Sequence, residues 1–255
     1  MIKVNNVKLQ LNYNENDLVN AIAKKLKIDK NCINSFSIIK KSLDARKKND
    51  IKYTFSFKVK LSIDEKKVLK RFKENEVTIF IEDEYQFKKC NKQITPLIVG
   101  SGPAGLFCAY ILVKSGLKPI IIERGEKVED RIKSVESFFE KGVLNTESNI
   151  QFGEGGAGTF SDGKLNTGIS DKRINLVLKT FVELGAPTEI LYEQKPHIGT
   201  DVLRNVVVNM RNYIINNGGE FLFSTKFIDF ETKDNKVVSQ LLNQMTKNFL
   251  LIVIE

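Results

Sequence analysis

The chain has 255 residues, with 40 Lys and Arg against 31 Asp and Glu and a formal net charge of +9. That length is enough for one large or two small domains with proper cores, and no apolar run reaches the roughly 20 residues of a membrane-spanning helix. The opening "MIKVNNVKLQLNY" alternates like a strand and has no signal-peptide core, so a cytoplasmic protein without membrane contact is expected.

The charge is unevenly spread. Residues 1–95 hold 22 Lys and Arg against 12 Asp and Glu, whereas residues 96–255 hold 18 against 19. Two domains are expected, 1–95 and 96–255. In the first, "IKVNNVKLQL" alternates, and "NENDLVNAIAKKLKI" spaces Leu18, Ile22 and Leu26 by four behind cap-forming residues. "SFSIIKKSL" and "KYTFSFKVKLS" read as strands flanking the polar turn "DARKKND". "DEKKVLKRFKE" predicts a short helix and "VTIFIEDEYQF" a last strand. The order β-α-β-β-α-β points to a ferredoxin-like α+β sandwich, with helices on one face of an antiparallel sheet.

"KKCNKQITP" then serves as a linker, after which the pattern becomes that of a parallel α/β sheet. "PLIV" is a short buried strand, "AGLFCAYILVKSG" an apolar helix and "KPIIIERG" a second buried strand ending in an acid. Between the first strand and the helix lie Gly100, Gly102 and Gly105, the spacing of a dinucleotide-binding turn. In such a turn the first glycine permits the tight bend and the second lets backbone approach a pyrophosphate. The third lets helix pack on strand, while the helix N-terminus offers free N–H groups to the phosphates. Glu123, ending the second strand, is placed to accept hydrogen bonds from the adenosine ribose, and an acid there disfavours a 2′-phosphate. Further helices are expected at 127–140, 171–184 and 201–216, then a hairpin around "KDNK" and a last apolar strand, "NFLLIVIE".

"NIQFGEGGAGTFSDGKLNTG", residues 149–168, is too rich in glycine for a core strand or helix and suits backbone pressed against a ligand. With "GSGPAGLFCA" and "IIIERG" before it and "QKPHIGTDVLRNVVVNMRNYIINNGGEFLFSTKF" after it, the chain resembles a bacterial family of uncharacterised FAD-dependent, NAD(FAD)-utilising dehydrogenases. Members of that family place a small α/β domain before the FAD fold. The resemblance implies an FAD-binding Rossmann-like α/β domain, with NAD(P)H as a possible cosubstrate. Gly100, Ser101, Gly102, Pro103, Ala104 and Gly105 would line the FAD pyrophosphate. Glu123 would hold the ribose, and Arg124 and Gly125 would close over the adenosine. Arg131 would reach a phosphate or stand as a solvated helix arginine. Gly155, Gly156, Ala157, Gly158 and Ser161 would run beside the ribityl chain or the flavin ring, with Lys164 an exposed lysine near them. Backbone at Lys226 and Phe227 would meet the adenine. Beyond about Val238 the chain departs from the family, whose members continue much further. The expectation is therefore an FAD domain incomplete at its C-terminus, not turning over by itself, with a second polypeptide as one way of completing it.

His197, the sole histidine, is a weak candidate for a general acid or base; a loop histidine satisfied by backbone is the plainer reading. The substrate is an unidentified small molecule. Cys32, Cys90 and Cys108 lie far apart with no CxxC spacing, against a metal site or disulfide framework. Two alternatives stand beside the flavoprotein reading. One is a non-catalytic remnant or assembly module with an exposed sheet edge. The other is nucleic-acid binding through the basic first domain, where Tyr53, Phe55 and Phe57 share one strand face, either exposed to bases or forming the core.

Overall fold

The computed structural model describes residues 1–82, 85–92, 94–169, 171–234, 236–244 and 247–252, the last two stretches as backbone only. They form two compact units: Met1–Tyr85 with Leu165–Lys179 and Pro187–Pro196, and Gln86–Lys164 with Thr180–Ala186 and His197–Glu255. The chain thus passes between units more than once, not only near residue 95.

The first unit is built from β1 (Ile2–Leu9), α1 (Glu15–Leu26), β2 (Ile33–Asp44), β3 (Lys52–Leu61), α2 (Glu65–Leu69) and β4 (Val77–Ile79). Its sheet runs β2-β3-β1-β4 with every neighbour antiparallel, the ferredoxin-like topology expected from the element order. The helix α1 starts where Asn14 and Asp17 cap each other: the Asn14 side chain accepts from Asp17 N, and Asp17 Oδ2 accepts from Asn14 N. Its buried face, Leu18, Ile22 and Leu26, meets Ile2, Val4, Phe57 and Val59 of the sheet in one core. Phe55 and Phe57 are fully buried, stacked at 5.4 Å, with Tyr13 edge-on to Phe55. The alternation that put these rings on one face therefore put them inside, and a base-stacking surface built on them is ruled out. Two elements are shorter than expected. After Leu69 the polar run 70–76 closes in turns, with Phe72 N on Leu69 O and Glu76 N on Lys73 O, and β4 stops at Ile79. The returning stretch Tyr192–Gln194 pairs with the outer edge of β2 through Lys41, whose N–H donates to Tyr192 O and whose carbonyl accepts from Gln194 N.

The second unit carries β5 (Leu97–Val99), α3 (Pro103–Lys114), β6 (Ile120–Ile122), α4 (Val128–Lys141), α6 (Thr200–Asn216) and β7 (Glu220–Leu222), while α5 (Arg173–Glu183) precedes α6 in the chain. The strands β5, β6 and β7 form a parallel sheet in that order, the start of a Rossmann-like α/β arrangement. The central strand β6 is wholly apolar, with Ile121 and Ile122 buried, whereas Val99 of β5 and Glu220 of β7 are exposed. The segment "FLFSTKF" divides in two. Ser224, at φ 51°, turns the chain, so 220–222 joins the parallel sheet. Beyond that turn β8 (Thr225–Lys233), β9 (Lys236–Gln244) and β10 (Lys247–Ile252) form an antiparallel meander. The hairpin at "KDNK" is present, with Lys233 paired to Lys236; Asn235 and residues 253–255 of the last expected strand lie outside the described residues. Replacing Phe57 by Ala should cost about 3–5 kcal/mol, read as a lowered urea midpoint for unfolding of the full chain.

Candidate functional site

The strand β5 ends at Val99 and the chain turns sharply through Gly100, at φ +93°, whose N–H donates to Ile122 O at 2.7 Å. Gly102 is the N-cap of α3, and Pro103 takes the first helical position, where no N–H is needed. The exposed Pro103 and Ala104 thus sit on a helix end whose first amides have no partner within the helix. The three glycines have different reasons. A Cβ on Gly105 would lie 1.9 Å from Gly100 O, so helix and turn touch there. Gly100 has its φ. Gly102 has neither: its φ of −67° suits any residue, and a Cβ there meets nothing within 4 Å. It lines a cavity of about 400 Å³.

Around that cavity stand Glu123 and Arg124 after β6, Phe152, Gly153 and Gly156 from the glycine-rich segment, and Lys226 and Phe227 from β8. Glu123 is buried, and its carboxylate first serves the protein. Oε2 accepts from Ser101 N and Ser101 Oγ (2.8 and 2.9 Å), and Oε1 from Gly125 N at 2.8 Å. A carboxylate has about four acceptor positions, so room for one ribose hydroxyl remains. Ser101, expected beside the pyrophosphate, is fully buried with its hydroxyl turned to Glu123. Gly125, expected to close over the adenosine, presses elsewhere: a Cβ on it would lie 2.6 Å from Gly153 Cα. Arg124 Nε binds Glu147 at 2.6 Å, and its guanidinium lies over the Phe152 ring.

Arg131 corrects the expectation most. It is neither solvated nor aimed at a phosphate. Fully buried, it donates from Nε to Asn149 O, from Nη1 to Glu154 O and Gly156 O, and from Nη2 to Ile150 O, all within 2.6–2.9 Å. Burial pulls its guanidinium down to about 10, still a cation at neutral pH. The segment it holds has no helix or strand to occupy those carbonyls, so the arginine replaces a ladder. Gly153, at φ +116°, is where that side chain passes: a Cβ would meet Arg131 Cδ at 2.6 Å.

From there the segment docks on the turn, Gly155 N donating to Ser101 O at 2.9 Å, and Gly156 lies close to Pro103. Ala157, Gly158, Thr159 and Phe160 form a 3-10 turn, with Ala157 and Ser161 exposed. Phe160 is sandwiched between the guanidiniums of Arg131 and Arg204, 4.6 and 4.4 Å from its ring centre. Arg204 Nε also donates to Thr159 O, and Thr200 Oγ1 to Ser161 O. Lys164 is exposed and paired with Asp162. His197 is exposed, its backbone bridged to Lys164, and the structure does not bring it to the cavity.

Two residues at the heart of the site were not anticipated. Glu154 is fully buried; its Oε2 accepts from Arg211 Nη1 at 2.6 Å and from Val128 N at 2.8 Å. Arg211 is also buried and bonds Glu129 across to α4. The available signal was an arginine on the apolar face of α6 with Leu203, Val207, Met210 and Ile214. Burial pushes the Glu154 carboxyl up to about 7, above its ordinary 4.5, against the pull of Arg211. Among the described residues no cluster of three or more His, Cys, Asp or Glu is arranged for a metal, and no helix is long and apolar enough to cross a membrane.

Comparison with known proteins agrees with the nucleotide-binding geometry. Residues 98–153 match a family model described as an NAD(P)-binding Rossmann-like domain, and residues 1–60 match a domain of unknown function, DUF8436. An uncharacterized protein of Clostridium beijerinckii is 46% identical over 245 residues, 95% of this chain and 46% of that protein. The chain therefore spans about half the length of this relative. Partial likenesses extend to the crystal structure of Thermovibrio ammonificans THI4, 14% identical with a TM-score of 0.37 over 63% of this chain and 54% of that one. A glycerol-3-phosphate dehydrogenase from Bacillus halodurans complexed with FAD is also 14% identical, with a TM-score of 0.37 over 64% and 33%.

Two outcomes test this geometry. Arg131→Met leaves four carbonyls of one segment without their donor, and should cost about 3 kcal/mol or more and raise amide exchange across 149–156. For Glu154, a folded-state value above the unfolded one means a contribution that is complete below about 4.5 and is lost as pH rises through about 7. The melting temperature of the wild type, taken relative to Glu154→Gln, should therefore fall between pH 5 and pH 8.

Proposed function

We propose that the second unit binds FAD and that the protein is a flavin-dependent oxidoreductase of the dehydrogenase type, acting on a small molecule with NAD(P)H as a candidate cosubstrate. The observation that carries this reading is Gly102. Nothing inside the protein requires glycine there, yet it stands at a helix N-terminus over a cavity, where a side chain would obstruct a phosphate. Gly100, Gly102 and the first amides of α3 would hold the pyrophosphate, with Pro103, Ala104 and Gly105 forming the helix end behind it. Glu123 would accept from the ribose through its remaining lone pair. Lys226 and Phe227, which line the cavity, would face the adenine, with Arg124 stacked on Phe152 in the same lining.

The preference for FAD over a nicotinamide dinucleotide rests on the second glycine-rich segment. Gly155 and Gly156 lie directly on the turn, and the segment continues from it to Ser161, with Ala157 and Ser161 exposed and Thr159 buried. That supplies a second strip of close-approach backbone, suited to a ribityl chain and isoalloxazine rather than to an ADP moiety alone. A bound flavin supplies two-electron, hydride-type chemistry that no side chain offers. The protein's part is to bind it, to orient it with the clamped segment and to present hydrogen-bond donors to its charged groups. Arg131, Arg204 and Arg211 are positioning residues in this scheme. The N-terminal unit has no assigned role in it.

The test is an absorbance spectrum of gently purified protein with any released cofactor identified, run alongside Gly102→Val. Flavin bands near one FAD per chain are expected in the wild type. The variant, whose Cβ meets nothing within 4 Å, should stay folded with a loss of no more than about 1 kcal/mol from the poorer helix cap, yet bind FAD at least about tenfold more weakly. A colourless wild type that refuses both added FAD and added NAD would overturn the reading. Equal FAD affinity in the variant would move the pyrophosphate away from the turn.

A further inference from the structure

Glu154 occupies the junction of three elements, and each of its polar groups but one is used. Its N–H donates to Glu126 O, and its carbonyl accepts from Arg131 Nη1 and Thr159 Oγ1. Its Oε2 is shared by Arg211 and the amide of Val128, the first residue of α4. Its Oε1 is buried with no hydrogen-bond partner. A bare, buried carboxylate oxygen is costly while the group is ionised, because nothing replaces the water it has lost.

The charges facing it are arranged so that a further anion matters. From α6 comes Arg211, from α4 come Glu129 and Arg131, and after β6 comes Glu123; Arg204 in turn faces Arg131. Glu123, Glu129 and Glu154 thus stand against Arg131, Arg204 and Arg211. Arg211 already divides itself between Glu129 and Glu154, and Arg131 is spent on carbonyls. The backbone next to Glu154 leads straight to the ligand position: Gly153 and Gly156 line the cavity, and Gly155 is bonded to Ser101 of the turn.

We propose that a dinucleotide pyrophosphate entering the glycine turn drives uptake of one proton from solvent onto Glu154 Oε1, so that ligand affinity is linked to pH through this buried carboxyl. The inference rests on the dinucleotide reading above. The physical step is simple. Negative charge brought into a closed cluster raises the proton affinity of the acid that is least well solvated. By reciprocity, a protonated Glu154 favours the ligand. The ligand-free carboxyl already titrates near neutrality, so the linkage falls in an accessible range. Arg211 keeps Glu129 when Glu154 becomes neutral, and the loop keeps its Arg131 bonds, so the site need not open for the proton to be held.

The experiment is calorimetric titration of the full chain, freed of bound flavin, with FAD in two buffers of different ionisation enthalpy between about pH 6 and pH 9. The heats are expected to differ near pH 8 in the sense of proton uptake, and to converge near pH 6. Kd should rise with pH by up to about tenfold for each unit by which the ligand raises the carboxyl's pKa. Glu154→Gln should bind FAD with equal heats in both buffers and a flat pH profile, while Glu129→Gln should still take up the proton. Buffer-independent heats in a wild type that binds FAD would overturn the proposal and leave the dinucleotide reading intact. Proton uptake surviving in Glu154→Gln would assign it to another group and also overturn the proposal. A wild type that binds no FAD at any pH would remove the dinucleotide reading and this inference together.

Discussion

One buried cation organises the candidate site. Arg131 has no exposed surface, and taking a guanidinium out of water costs several kcal/mol. Four backbone carbonyls of the segment 149–156 offset that cost through charge-assisted bonds worth about 1.5–3 kcal/mol each. The dependence is mutual, since a segment so rich in glycine has little helix or strand preference and would leave those carbonyls unpaired. Once the arginine is in place, much else follows. Gly153 must lack a side chain where the arginine passes, Glu154 is drawn inside towards Arg211, and Gly155 comes within reach of Ser101.

The glycines of the second unit then divide by cause. Gly105, Gly125, Gly153, Gly155 and Gly163 are glycines because protein lies where a Cβ would be; at Gly163 the carbonyl of Ile198 is only 1.6 Å from that position. These residues build the site, and their identity carries no direct message about a ligand. Gly102, like Gly158 and Gly199, has open space where a Cβ would be and no positive φ, but of these three it alone lines the cavity.

In the first unit the same distinction between surface and interior settles a different question. Its positive charge and its row of aromatic rings together suggest a nucleic-acid surface. Phe55 and Phe57 are instead completely buried against α1, and Tyr53 packs at the margin of that core. Period two places residues on one face of a strand but does not say which face is covered. Only the helices, both lying over that face, decide it.

Much of the architecture was legible in the chain itself. Alternation in β1 and β3, four-residue spacing in α1, the Asn14 and Asp17 cap and the glycine turn before α3 all act over a few neighbouring residues. Local steric and hydrogen-bonding rules therefore determine them. The tertiary structure alone decided how hydrogen-bonding capacity is spent. Ser101 and Glu123 lie 22 residues apart, and Glu154 and Arg211 lie 57 apart, yet each pair is in direct contact. Sequence lists the donors and acceptors. Folding determines which remain for a ligand, because a buried polar group must first satisfy whatever partner the fold brings to it.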